Sequence, residues 1–233
     1  MRRLNRLSES NGMVGDIDFW KNTDDRVYEK CLNTMSIIVA EDEWWETTYN
    51  DFKHQMEDKF GADVDLKNTH FRLGHNRYFE TDMSIDIDGI AQILKEERAK
   101  PHIVKLIELG AVDGGFDSSS HNPIEIFPVD VEPRYYKELE KILKKSKYYK
   151  SAMSLIKGDD IENYEGKIEH ITEWVVGGER DDLQDVIDDW YVDITEDVLY
   201  NLERELEYLQ SEENLVEFAR NNEYEFDENG KIA

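Results

Sequence analysis

Residues 181–209 combine one apolar stripe with an otherwise acidic surface, and this pattern limits the possible fold more than any other feature of the chain. Apolar residues recur mostly at steps of three and four, which places them on one side of an α-helix. They are Leu183, Val186, Ile187, Trp190, Ile194, Val198, Leu202, Leu206 and Leu209. We expect this stripe to lie in the core, or to form a dimer seam if it is exposed.

The negative charge of the chain is concentrated in the same region. The formal net charge is -26, and residues 151–233 hold 25 acidic residues against 6 basic ones. Like charges at i,i+4 destabilise a helix, so an unmixed acidic surface is not what folding alone favours. Two structural explanations remain open. The charge keeps the chain soluble, or a basic helix at residues 134–150 packs beside the acidic one.

The remaining patterns predict an α+β, mainly helical fold. A small antiparallel sheet is expected in the N-terminal half, packed with helices, and long amphipathic acidic helices are expected in the C-terminal half. The predicted strands are Arg26–Ala40, Val64–Leu73, Tyr78–Ile87 and Ile124–Val129, with a small strand in the tail after Tyr224. The predicted helices are Trp44–Phe60, Gly89–Leu109 with a break near Pro101, Pro133–Ile156, Asp181–Leu209 and a short helix after Ser211.

Changes in composition suggest three segments. Residues 1–23 are polar and are expected to form a flexible arm, with Phe19 and Trp20 as docking points. Residues 24–133 are expected to form the α+β domain. Residues 134–233 are expected to form a helical acidic region packed on it, and a single domain overall is the alternative.

Composition also narrows the classes of function. A pI of about 4.5 disfavours direct binding to nucleic acid or to an anionic membrane, because either would repel the chain. The single Cys31 fits a reducing compartment and is expected to be a small buried residue on a strand. No signal-like or membrane-spanning apolar run is present, so we expect a cytoplasmic protein.

The sequence contains no recognisable catalytic pattern. Its six histidines are scattered, and none lies in an HExxH or a Cys/His zinc spacing. We therefore expect no enzyme activity, no catalytic residue, no metal and no cofactor. The alternative, a metal-dependent enzyme, would require the histidines to converge in one cleft, in particular His54, His70, His75 and His121.

The acidic helix has a charge spacing similar to that of DNA. At 1.5 Å per residue, residues 181–207 span about 40 Å, or one acid per about 3.6 Å, against about 3.4 Å per phosphate on one DNA strand. We therefore predict a partner-binding, DNA-mimicking surface. Its residues are Asp181, Asp182, Asp185, Asp188, Asp189, Asp193, Glu196, Asp197, Glu203, Glu205 and Glu207.

Two stretches resemble a group of tailed-bacteriophage accessory proteins that are sometimes labelled antitoxin-like. They are EDEWWETTYNDFKHQMEDKFGADVDLKNTHF at residues 41–71 and LEYLQSEENLVEFARNNEYEFDENGKIA at residues 206–233. The chain departs from that group at residues 72–85, where RLGHNRYFETDMSI replaces a glycine-rich aromatic motif. The resemblance implies a phage protein acting in the host bacterial cytoplasm and brings no catalytic residues. Small acidic phage proteins include DNA mimics that block restriction enzymes.

Charge and resemblance together lead to one hypothesis and one alternative. The first is an anti-defence protein, antirestriction-like, that inhibits a basic host enzyme acting on DNA or RNA. The alternative is an antitoxin or immunity-type protein that neutralises one specific toxin, which would predict a narrow hot spot in place of diffuse charge. A homodimer is compatible with both.

Overall fold

The structure is a computed structural model that describes residues 13–156 and 163–233. It divides into two compact units. We call residues 48–199 the central unit, and the segments before residue 48 and after residue 199 the terminal unit. This division differs from the predicted boundaries at residues 24 and 134, since the two ends of the chain fold together.

The predicted fold class is confirmed: the chain is mainly helical, with a small antiparallel sheet in its N-terminal half and a long helix in its C-terminal half. The strands are β1 Val14–Asp16, β2 Asp63–Arg72, β3 Tyr78–Asp86, β4 Val112–Asp117, β5 Ile124–Pro128 and β6 Glu225–Asp227. The α-helices are α1 Ile17–Thr23, α2 Asp25–Glu41, α3 Glu46–Phe60, α4 Ile87–Glu96, α5 Pro101–Glu108, α6 Tyr136–Leu143, α7 Tyr149–Ile156, α8 Tyr164–Leu209 and α9 Glu212–Asn221.

The terminal unit contradicts two predictions. Residues 13–23 do not form a loose arm, because Ile17 and Trp20 are buried and the Trp20 indole donates a hydrogen bond to the Phe226 carbonyl at 3.0 Å. Residues 1–12 of the predicted arm lie outside the described residues. Strand β1 pairs antiparallel with β6, which ties residues 14–16 to residues 225–227.

The predicted strand at residues 26–40 is wrong, since this segment is helix α2. Asp24 caps the helix by accepting a hydrogen bond from the Arg26 amide at 2.9 Å. Buried residues recur every four positions along one helical face, and this burial outweighs the β propensity of the run at residues 37–39. They are Val27, Cys31, Met35 and Val39. Cys31 is thus buried as expected, but on a helix.

The central unit contains a four-stranded antiparallel sheet in the order β2, β3, β4, β5. The predicted strands β2, β3 and β5 and the break at Pro101 between α4 and α5 are confirmed. No strand was predicted at β4, where two adjacent glycines favour a loop. Gly114 has a φ of +146°, and a Cβ there would lie 1.9 Å from the Glu125 carbonyl oxygen, so the close pairing with β5 requires glycine.

Two helix predictions need correction. The predicted single helix at residues 133–156 is a 3₁₀ turn followed by α6 and α7, interrupted at residues 144–148. Helix α8 starts at Tyr164 and continues through Gly177 and Gly178, which the sequence had placed before the helix. A Cβ on Gly178 would lie 2.7 Å from the Tyr148 ring, so this glycine allows the connection after α6 to approach α8 closely.

Candidate partner-binding site

Helix α8 presents most of the predicted acidic residues to solvent. Exposed members are Asp181, Asp185, Asp188, Asp189, Asp193, Glu196, Asp197 and Glu207, whereas Asp182, Glu203 and Glu205 are half-buried. The last three predicted residues, from Glu203 onward, belong to the terminal unit. We call the seven exposed acids between residues 181 and 197, all in the central unit, the acidic face.

The opposite side of the helix explains this exposure. Leu183, Ile187 and Trp190 are at most 4% exposed, and the Trp190 ring meets the Phe60 ring edge-on at 5.1 Å. The apolar stripe of the central unit is therefore core, as predicted. Because a helix turns by 100° per residue, burial of this stripe directs residues 181, 185, 188, 189 and 193 away from the core.

Most acids of the face have no cationic partner within the described ranges. Glu196 pairs with Arg77, and Asp188 accepts a hydrogen bond from the Gln184 amide at 2.5 Å. The other five form no ion pair within residues 13–156 and 163–233, and they are Asp181, Asp185, Asp189, Asp193 and Asp197. Within those residues, no ion pair relieves their mutual repulsion.

The same helix also carries a buried ionic cluster. Glu179 is 1% exposed and accepts hydrogen bonds from His102 Nε2 at 2.7 Å, from Ser146 Oγ at 2.5 Å and from Lys100 Nζ at 3.0 Å. Lys100 also reaches Asp182 at 2.6 Å. We call these five residues, together with Lys147 described next, the Glu179 cluster. It joins the start of α5 and the connection between α6 and α7 to α8.

The hydrogen bonds of the cluster keep its carboxylates charged. Burial by itself raises the pKa of Glu179, but the bonds from His102, Ser146 and Lys100 outweigh it and lower the pKa to about 2. The pKa of Asp182 is also lowered to about 2, by its hydrogen bonds to Lys100 and Lys147. Breaking this network would leave buried charges without partners.

Within residues 13–156 and 163–233, the basic segment at residues 134–150 forms an ion pair with the predicted acidic residues at one point. Lys147 reaches Asp182 at 2.5 Å. Within the described residues, Lys137, Lys141, Lys145 and Lys150 are exposed and form no ion pair. Since Asp182 belongs to the Glu179 cluster and not to the acidic face, the basic segment leaves that face uncompensated.

The sequence did not predict the Glu179 cluster. Lys100 and His102 lie 79 and 77 residues before Glu179 in the chain, and no local motif links them. The one available signal was the mismatch between a charged residue and its position on the apolar stripe, since Glu179 lies four residues before Leu183.

Two large apolar side chains lie among the acids. Trp174 is 49% exposed and Val192 is 56% exposed. Trp174 lies 7 residues before Asp181, and Val192 lies 11 residues after it. Both spacings place the side chain within about 20° of Asp181 around the helix axis. The surface of α8 therefore combines charge with an exposed tryptophan, a residue type that is enriched in the energetic centres of protein interfaces.

The histidines do not assemble into a recognisable metal site. Among the residues that the structure describes, no group of three or more His, Cys, Asp or Glu side chains is placed to hold a metal ion. His121 lines a cleft of about 490 Å³ beside the acidic face, together with Arg180, Gln184 and Asp188. His54 is exposed and lies 3.9 Å from Glu57.

The described helices are all too short or too polar to cross a membrane. Comparison of the chain with protein-family models, with curated proteins and with solved structures finds no match.

Proposed function

We propose that the protein is a binding protein whose acidic face occupies the cationic groove of a nucleic-acid-binding enzyme and excludes DNA or RNA from it. The resemblance to phage accessory proteins suggests the setting, a host defence enzyme in an infected bacterium. The observation that carries the proposal is the row of exposed acids on α8, most of which form no ion pair within the described residues. In this reading the acids replace phosphates and take no part in catalysis.

The spacing of the charges supports this reading. Residues 181 to 197 span about 24 Å of helix, and the seven acids of the face lie on average about 4 Å apart along the axis. Phosphates on one DNA strand lie about 3.4 Å apart. An enzyme groove that binds one phosphate strand would therefore meet a similar density of negative charge on α8. Binding of α8 would release the anions held in that groove, as binding of DNA does.

The pairing of charges also supports a partner over mere solubility. The exposed lysines between residues 137 and 150 form no ion pair with the acidic face within the described residues. A surface that mixed both signs can also be soluble, and it would avoid repulsion between acids one turn apart. A cationic partner would relieve that repulsion, which favours binding.

Trp174 favours a second candidate, an antitoxin-like protein that neutralises one specific toxin. Exposed tryptophan is enriched in the energetic centres of protein interfaces. Such a protein would depend on one or two apolar contacts, whereas a DNA mimic would depend on charge spread over the whole face.

The test is capture from a bacterial lysate, followed by displacement with duplex DNA. The immobilised chain is compared with the variant D185N/D188N/D189N/D193N over a series of salt concentrations. We expect the wild type to retain a protein that duplex DNA displaces and whose recovery falls steeply with salt. The variant should lose it, because it removes four of the seven charges of the face.

A matched variant, D51N/D58N/D63N/D88N, changes the net charge equally on α3, β2 and α4 of the same unit and should retain the partner. Equal loss from both variants would show that only net charge matters, and equal retention would place the site elsewhere. Either result would contradict the proposal. If W174A abolishes binding while the four-fold acidic variant reduces it only slightly, the antitoxin-like candidate is favoured.

A further inference from the structure

The terminal unit contains a pocket that is separate from the acidic face. It has a volume of about 380 Å³ and lies where residues 39–44 meet the end of α8 and helix α9. Its floor is apolar: Val39 is 6% exposed, and Leu209 and Phe218 are half-buried. This volume is near the lower end of the range for ligand sites, so it suits one side chain better than a large ligand.

Hydrogen bonding and ring packing hold the walls of this pocket in place. The Asn214 side-chain amide donates to the Tyr208 carbonyl at 2.6 Å, which fixes the end of α8 against the start of α9. The Phe218 ring packs against the Tyr224 ring, with centroids 6.1 Å apart. The pocket is therefore built from fixed elements and not from one loop.

The rim of the pocket combines aromatic rings with negative charge. Tyr208 is 67% exposed, and Trp44 is half-buried with its ring edge-on to Trp45 at 5.9 Å. Asp42 and Glu217 are exposed at the same rim. Within the part of the chain that the structure describes, no Lys or Arg lines the pocket, so its charge is wholly negative.

We propose that this pocket, which we call the aromatic pocket, binds an arginine side chain of a protein partner. The aliphatic stem of an arginine would pack on Val39, Leu209 and Phe218. Its planar guanidinium would stack on the aromatic rings and donate hydrogen bonds to Asp42 and Glu217. A lysine ammonium is more strongly hydrated and does not stack as a plane, so arginine fits these walls better.

The inference does not rest on the proposed role of the acidic face, and a small-molecule probe tests it alone. The probe is N-acetyl-L-arginine methylamide, titrated into the full ¹⁵N-labelled chain while the five tryptophan indole N–H signals are followed by NMR. The W44F variant identifies the Trp44 signal. We expect this signal to shift along a saturable curve. The lysine analogue should bind several-fold more weakly, and the neutral norleucine analogue about tenfold more weakly.

Matched variants separate the pocket from the general negative charge of the chain. Y208A removes a pocket wall, whereas Y200A removes another exposed tyrosine of α8 in the same unit that does not line the pocket. E217Q and E213Q form a second such pair on α9. We expect Y208A and E217Q to weaken binding at least threefold and both controls to leave it unchanged.

Three results would overturn the assignment. One is the absence of saturable binding below 50 mM probe. Another is equal affinity for the arginine analogue and either the lysine or the norleucine analogue. The third is equal binding by the pocket variants and their controls. Amide spectra of each variant establish that it is folded before its affinity is compared.

Discussion

The acids of helix α8 lie in two contrasting environments within the central unit. At residues 179 and 182 each carboxylate has at least two hydrogen-bonding partners, and the pKa values of both are lowered to about 2. From residue 185 to residue 197 the acids are exposed, and most form no ion pair in the described parts of the chain. The first group therefore holds the helix in place, and the second group is free to interact with another molecule.

The largest expected effect comes from breaking the Glu179 cluster. E179A leaves Lys100 and His102 without their buried acceptor, so we expect the free energy of unfolding to fall by about 3–5 kcal/mol. Unfolding in urea measures the change. The control D189A removes an exposed acid of the same helix, so it should not lower the free energy of unfolding. Similar losses in both variants would remove the distinction between the two environments.

The pH dependence of the same group comes next. Because the pKa of Glu179 falls from 4.5 to about 2 on folding, its stabilising contribution is fully present above pH 4.5 and is lost as the pH falls towards 2. The difference in stability between wild type and E179Q should therefore be constant near neutral pH and shrink below about 4.5. Urea unfolding at a series of pH values tests this, and a pH-independent difference would contradict it.

The two adjacent glycines of α8 sharpen the comparison, because one faces solvent and the next faces another part of the chain. A Cβ at Gly178 would lie 2.7 Å from the Tyr148 ring, while a Cβ at Gly177 would meet nothing within 4 Å. We expect G178A to destabilise the chain by about 1–3 kcal/mol through overpacking. G177A should stabilise it by about 0.5–1 kcal/mol, because alanine is the better helix former. Thermal unfolding of the two variants should give changes of opposite sign.

The smallest expected effect is a gain of stability at the acidic face. D193N removes two like-charge pairs at i,i+4, with Asp189 and Asp197, so the free energy of unfolding should rise by about 0.4–1 kcal/mol at low ionic strength. The gain should nearly vanish in 1 M salt, where the screening length is about 3 Å. A loss of stability at low salt would mean that these acids have stabilising partners within the chain.

The patterns with a clear period were predictable from the sequence. The stripe of α8, the helix ending at Phe60 and the strands β2 and β3 follow alternation or helical spacing, and each was confirmed. The acids of the face were predictable too, since burial of Leu183 and Ile187 fixes which side of α8 faces solvent. Binding by these acids stays a prediction, because exposure alone names no partner.

The predictions that were wrong or missing have a common physical cause: packing between residues distant in sequence outweighed local conformational preference. The run at residues 37–39 favours a strand in isolation, but Asp24 caps a helix there and residues spaced by four bury one face. Gly114 taken alone favours a loop. In the folded chain it lies in a strand, because the nearby Glu125 carbonyl leaves no room for a side chain. The Glu179 cluster joins residues nearly 80 positions apart, and one sequence contains no signal for such a pairing.

The pairing of β1 with β6 has a consequence for the order of synthesis. Trp20 and strand β1 must wait for Phe226 before their part of the core can close, whereas residues 48–199 contain every strand of the larger sheet. At about 5–20 residues per second, the ribosome adds residues 200–227 about 1–6 seconds after residue 199. During that interval the apolar side of α1 and α2 lacks its partner strand, so it remains uncovered in the nascent chain.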